Sequence, residues 1–430
     1  MTRLAGDNKR TFLAFLSVTS LFFAWGFITS NNDPLIVTLR AAFSLNYTEA
    51  LLTQIVSFLA NGLLSLPAAW LCSRFGSVDT ILASLGLMVL GCLSVLISTD
   101  SNSFLPILAA LFVLAAGFTG LQVAANPLAA DLGPPQRSHF RLNFAQAFNS
   151  LGVVLGVHFG SLVMLGDLSR GARPPAVDQA TRTGILNSVD RAYLIMAVLL
   201  AALLILFGVL RKFLSSVAPD QLRPAPVGMF EALRSRWAVF GALAIALYVG
   251  AEVSIGSIMI NFLNQRHVLD LPFEAAGAYL ANFYWGGALC GRIVGTFLLT
   301  RLRADRLLAG CGIIAAALCV TVLFGSGPLI GYAALAIGFF NSIMFPTIFS
   351  ITLERSNVPQ SATSGLLSAA ILGGALLPLA VGAIADRFGL SAAFGVPLVG
   401  YAFIALFAGA AREGHARNAM LLPAQGSPIP

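Results

Sequence analysis

The sequence predicts an all-α membrane protein of twelve transmembrane helices in two pseudo-symmetric six-helix bundles, and three observations carry that reading. Of the 430 residues, 57% are hydrophobic and only 10% charged, with a mean hydropathy of +0.86, more apolar side chain than a soluble core of this size can cover. Apolar stretches of about 20 residues, the length that crosses a bilayer, recur along the whole chain between charged or Pro/Gly-containing breaks. The Lys and Arg residues behind the net charge of +7 fall in alternate breaks and not in one patch, which argues for a membrane topology and against a nucleic-acid surface.

In order, the spans are expected at 11–39, 49–73, 79–98, 104–131, 141–165 and 192–211, then at 237–263, 274–299, 306–325, 329–353, 362–385 and 390–411. Basic residues precede the first apolar run as in a signal peptide, but no small-residue cleavage site follows it, so the run is expected to stay as the first span. With the N-terminus inside, the inner breaks collect Lys9, Arg10, Arg74, Arg137, Arg211, Lys212, Arg234, Arg301, Arg303, Arg355 and Arg412, while the outer ones hold few besides Arg40, Arg266, Arg387 and a group in one loop. This bias sets both termini in the cytoplasm of a multi-pass membrane protein. Residues 166–191 are expected as an external loop, and 212–236 as a cytoplasmic connector in which "MFEALRSRW" could lie on the membrane surface as an amphipathic helix. The connector divides the chain into an N-terminal bundle at 1–211 and a C-terminal bundle at 237–411, with a tail at 412–430. A faint repeat supports paired halves: Gly152 and Gly160 in the fifth span have the spacing of Gly374 and Gly382 in the eleventh. Six plus six spans with repeated halves is a transporter layout, whose site lies at the midplane between the halves.

Polar side chains cluster where that site would be. The first span carries Asn31, Asn32 and Asp33, and then Pro34, which removes a backbone donor and loosens the helix. A central Asp costs about 2.5–3.5 kcal/mol on insertion scales, so one that is kept usually faces a cavity and acts there. Gln122 and Asn126 are four apart on one face of the fourth span, and Asn143, Gln146 and Asn149 form a stripe along the fifth. Carboxamides both donate and accept, as do the hydroxyls of a sugar. The C-terminal half offers Glu252, Asn261, Asn264, Asn282, Asn341, and the pair Tyr284 and Trp285, whose rings could stack on the apolar face of a sugar.

Each of these residues has a second reading. Asn and Gln within membranes also serve as interhelical glue. Asp33 and Glu252 could pair with Arg292 or His158, Tyr284 and Trp285 could face lipid, and Trp25, Trp70 and Trp237 read as packing or interface residues. The four histidines, His139, His158, His267 and His415, form no catalytic constellation, and an enzyme is not expected. The five cysteines sit in or beside apolar segments without Cys-X-X-Cys or Cys/His spacing, so no disulfide framework, metal site or cofactor is expected.

The stretches "FFAWGFITSNNDPL", "GLQVAANPLAADLGPPQRSHFRLNFAQAFNSLG", "YVGAEVSIGS" and "FPTIFSITL" resemble the fucose:proton symporter family of the major facilitator superfamily, and within it the glucose/galactose/mannose transporter branch. The resemblance implies that Asp33 takes and releases the coupling proton and that Gln146 and Asn149 bind sugar. Gln122 stands where the fucose transporters carry a second acid, and Glu252 where they carry a neutral residue, which points away from L-fucose. The expected function is import of a hexose with a proton by alternating access. Asp33 and Glu252 are the candidates for proton coupling, and Asn32, Gln122, Asn126, Asn143, Gln146, Asn149, Asn282 and Trp285 those for sugar binding. The partners are then a sugar, a proton and the lipid bilayer, without nucleic acid, and a monomer suffices. A uniporter, an exporter of another small metabolite or a transporter-like sensor are the alternatives.

Overall fold

The computed structural model describes residues 2–101, 103–133, 138–166, 179–217, 229–299, 301–358 and 360–421, and among them it is helical with short turns and no strand. Every backbone N–H and C=O must find a partner inside the bilayer, and a helix supplies those partners within the segment itself. The first span is two helices, Thr2–Thr29 and Asn32–Phe43, followed by Leu52–Phe75, Ser77–Thr99, Phe104–Asp131, Ser138–Gly160 and Gln179–Val217. The second half begins with Arg236–Leu263. Its eighth span joins Phe273–Tyr279 to Gly286–Leu299 through a π-helical turn, and Ala304–Phe324 follows. The tenth is broken into Pro328–Asn341 and Met344–Arg355, the eleventh runs from Gln360 to Phe388, and the last is Gly395–Leu421. Ten segments of the described residues are long and apolar enough to cross a bilayer, and the expected second and eighth spans are helical over Leu52–Phe75 and 273–299. Side chains such as Ile97, Val209 and Phe324, each more than 70% exposed, face outward as a lipid surface requires.

Several boundaries differ from the sequence expectation: the first helix begins at Thr2 and not near residue 11, the last runs on to Leu421 into the expected tail, and the sixth differs at both ends. The sixth helix already begins at Gln179, inside the expected loop, because Ile185, Leu186, Val189 and Ala192 are buried on one face beneath a polar exterior. It also continues past Arg211 to Val217, inside the expected connector, and there the Arg211 guanidinium binds both oxygens of Asp79 at 2.7 and 2.8 Å. The described part of the connector holds a 3-10 turn, Met229–Arg234, and Ala232 is buried against Ala238. Residues 167–178 and 218–228 lie outside the described residues.

The halves repeat one packing scheme. In the first half, helix one packs on five, two on four, and three on both four and six; in the second, seven packs on eleven, eight on ten, and nine on both ten and twelve. Close approach of helices one and five depends on glycine: a Cβ on Gly26 would strike the Asn149 carbonyl, one on Gly152 that of Phe23, and one on Gly156 that of Phe27. Gly373 lies equally close to the backbone at Ala246, between helices seven and eleven.

Each half has its own apolar core, and the two meet at the arginine-poor end of the bundle, where Ile36, Val37, Ala50, Leu51, Val157 and Leu165 of the first half join the core of the second. Asp386 accepts from the backbone N–H groups of Tyr47 and Thr48 at 2.7 and 3.0 Å and from the Thr48 hydroxyl at 2.7 Å. Arg40 donates to Asn261 at 3.4 Å, and Gln54 to the Ser257 hydroxyl at 2.9 Å. At the arginine-rich end, the main contacts of Thr2–Thr29, Met344–Arg355 and Gln360–Ala369 stay within their own halves. Among the described residues, the contacts between the halves are thus concentrated at the arginine-poor end and the middle of the bundle.

Candidate functional site

The break in the first span organises the centre. Ser30 and Asn31 separate its two helices, and Pro34 falls in the first turn of the second, where its missing N–H costs no helical bond. The Asn31 amide turns back to donate to the Phe27 carbonyl at 2.6 Å. Asn32 and Asp33 then project to different sides of the broken helix.

Asn32 faces a cavity of about 240 Å³. Helices one, two, four and six form most of its wall, and Ile371 of helix eleven comes from the other half. Thr29, Asn32, Gln54, Ser57, Asn61 and Gln122 give it hydroxyls and carboxamides, while Trp25, Phe58, Phe118 and Tyr193 give it aromatic surface. The Asn61 amide donates to the Gln122 side-chain oxygen at 3.3 Å, and Asn32 reaches the Thr53 hydroxyl at 3.5 Å. A few convergent polar groups against aromatic walls is the usual composition of a small-molecule site, and the carboxamides here can both donate and accept.

Asp33 faces the other half and is 4% exposed. Its carboxylate accepts from the Trp285 indole N–H at 3.1 Å, and among the described residues it has no cation partner. Trp285 lies at the end of the π-helical turn Leu280–Trp285, where the widened backbone turns Tyr284 into the core and the indole toward Asp33. Glu252 is held apart from Asp33. It accepts from the Tyr248 hydroxyl at 2.8 Å, its backbone carbonyl accepts from the Tyr284 hydroxyl at 3.0 Å, and it feels the charge of Arg292. Asn341, at the break in the tenth span, donates to the Tyr284 hydroxyl at 3.1 Å, and its freed carbonyl accepts from Tyr248 at 3.0 Å.

The other candidates spread out from this centre. Asn126 lies on helix four beside Trp25 and Gln122, with its side-chain oxygen buried and, among the described residues, without a hydrogen-bond partner. Asn149 donates to the Phe22 carbonyl at 3.1 Å, bridging helices five and one, and Gln146 is half-buried; neither lines the cavity. Asn143 is on helix five, but its side chain lies outside the described residues. Asn282 is exposed and pairs with His158 Nε2 at 2.8 Å, and Arg292 donates to the Ser150 hydroxyl at 3.0 Å, so both join the halves. Neither His158 nor Arg292 pairs with Asp33. Trp25, expected as a packing residue, lines the cavity, and Trp285 faces Asp33 and not lipid.

Gln54, Ser57 and Asn61 line the cavity without being among the residues expected from the sequence. Their spacing of i, i+3 and i+7 is a one-sided polar stripe in an apolar helix, the same signal that picked out the fifth span.

Residues 11–364 match the Major Facilitator Superfamily. The glucose/galactose transporter of Brucella abortus (strain 9-941) is 39% identical over 401 residues, which cover 93% of this chain and 94% of that protein. The L-fucose-proton symporter of Escherichia coli K12 is 32% identical over 94% of each chain. The crystal structure of the transporter FucP in the outward conformation superposes with a TM-score of 0.67 at 27% identity, covering 94% of this chain and 99% of that one.

Proposed function

The chain belongs to the major facilitator superfamily, and from that premise we propose that it imports a hexose of the glucose, galactose or mannose type together with a proton by alternating access. The observation that carries the reading is Asp33: a buried carboxylate without a cation partner, at a helix break between the halves and next in sequence to a residue of a carboxamide-lined cavity. An acid in that position can be neutral while it carries a proton and charged after releasing it, which is what coupling needs. Relatives named for glucose/galactose transport and for L-fucose-proton symport support both the sugar and the proton.

Sugar binds in the cavity in this reading, with Asn32 and Gln122 as its sequence-derived contacts, Gln54 and Asn61 beside them, and Trp25 or Phe118 against the apolar face of the ring. Gln146, Asn149, Asn126 and Asn282 stand outside this cavity in the present arrangement and, with Asn143 on helix five, are the candidates to reach the sugar as the halves move. Glu252 is the second proton-coupling candidate. The arginine-rich end faces the cytoplasm of a bacterial inner membrane, with both termini there, so the arrangement held at the arginine-poor end is the inward-facing one. The bundles at 1–211 and 237–411 rock about the connector at 212–236, leaving 412–430 as a cytoplasmic tail. One chain supplies the whole site, so a monomer transports, and the chain performs no covalent chemistry on its cargo.

The test is uptake of labelled glucose, galactose, mannose and L-fucose into proteoliposomes without sodium. An inward proton gradient is expected to drive one hexose above its external concentration, and Asp33→Asn to cut that accumulation at least about tenfold, the worth of one charge-assisted interaction. Unchanged accumulation by Asp33→Asn would remove Asp33 from the coupling role. Failure of every sugar to accumulate would remove the proton.

A further inference from the structure

The geometry points to Trp285 as the positioning residue for proton release: its indole N–H holds the charged form of Asp33 while the halves are closed at the arginine-poor end. The inference rests on the proton-coupled reading above and adds to it the group that receives the charge. A buried carboxylate with no hydrogen-bond donor is too costly to persist and keeps its proton instead. Here, among the described residues, the indole N–H at 3.1 Å is the donor that reaches the Asp33 side chain. It comes from the opposite half, so the contact exists only when the two halves are together at this depth.

The site around the indole is built to hold it there. Gly256 of helix seven leaves room for the ring: a Cβ at that position would stand 3.0 Å from the indole and 3.8 Å from the Asp33 oxygen. On its other side Trp285 meets the Tyr284 ring edge-on, with centroids 5.0 Å apart. Tyr284 is itself fixed by its bonds to the Glu252 carbonyl and from the Asn341 amide. These two contacts hold the Trp285 ring with its N–H toward Asp33 in the closed arrangement.

The consequence separates two activities. Exchange of sugar across the membrane can run on a carrier that stays protonated, whereas net accumulation requires Asp33 to give up its proton on every cycle. In proteoliposomes with the full chain and labelled D-galactose, Trp285→Phe keeps the ring and removes the donor. It is expected to lower gradient-driven accumulation about ten- to a hundredfold more than it lowers equilibrium exchange, the range for a hydrogen bond to a charged group. Gly256→Ala, which presses on the same ring, is expected to shift the two activities in the same direction and by less. In an Asp33→Asn background, Trp285→Phe is expected to add no further separation between them, because no charge is left to hold. Equal loss of both activities in Trp285→Phe and in Gly256→Ala would make Trp285 a packing residue only, and wild-type accumulation in Trp285→Phe would overturn the inference outright. Wild-type protein that exchanges galactose without accumulating it overturns the proton-coupled reading first, and this inference with it.

Discussion

Gln54, Ser57 and Asn61 face the same space as Asn32 and Gln122, and the Asn61–Gln122 bond fixes the direction in which that wall offers its donors. Asn61→Leu removes one partner of that pair and leaves an apolar patch where a sugar hydroxyl would bind. Loss of one neutral hydrogen bond is worth about 0.5–1.5 kcal/mol, so the apparent KM for the transported hexose should rise about two- to tenfold with little change in protein stability. Initial-rate uptake over a range of sugar concentrations checks this, and an unchanged KM would move the sugar elsewhere. The acid at 33 was legible in the sequence because an ionisable group in an apolar run has few explanations. The carboxamides were only partly legible. Asn32 and Gln122 line the cavity, whereas Asn149 spends its amide on the Phe22 carbonyl, and nothing in a one-dimensional pattern tells a ligand contact from a bond between helices. In the sequence Trp285 offers a ring for stacking, whereas in the structure its N–H meets Asp33, a partner 252 residues away that no local pattern reveals.

Helices one and five touch backbone to backbone through Gly26, Gly152 and Gly156, and this contact orients the break that carries Asp33. Gly156→Leu would drive a side chain into the Phe27 carbonyl and the Ser30 hydroxyl, an overpacking worth about 1–3 kcal/mol. The variant is expected to melt at a lower temperature in detergent. Gly208→Leu, on a face where an added Cβ meets nothing within 4 Å, should melt like the wild type. Equal melting of all three would mean that the one–five contact does not limit stability. Spans were readable from hydropathy because length and apolarity are local properties, and Pro34 marked the break in the first one. The early start of the sixth helix at Gln179 was hidden because its buried face, Ile185, Leu186, Val189 and Ala192, is interleaved with Thr, Asn, Ser and Asp. Likewise the glycine repeat suggested paired halves, but Gly160 packs on Asn31 and Pro34, whereas Gly382 packs on Thr48 across the interface, so equal spacing did not mean equal surroundings.

Alternating access requires that the contacts closing one end be strong enough to hold and weak enough to break, and at the joined end of this molecule one carboxylate accepts three of the hydrogen bonds between the halves. Asp386 sits at the N-terminus of the short helix Tyr47–Ala50, in the opposite half, where unpaired N–H groups and the helix dipole both favour an anion. Removing that carboxylate with Asp386→Ala deletes three hydrogen bonds that cross between the halves. Hydrogen bonds to a charged group are worth about 1.5–3 kcal/mol, so even one effective bond would shift the balance between the two arrangements at least about tenfold. Hydrogen–deuterium exchange reads the shift away from the altered contact. The amides of Asn264 and Gln265, at the same end but not bonded to Asp386, should exchange faster, while those of Gln360–Ala369 at the arginine-rich end should become more protected as that end closes. A local effect confined to Tyr47 and Thr48 would show that Asp386 only caps a helix. Coordinated changes at both ends would show that the two halves move as units and that this single acid sets their balance.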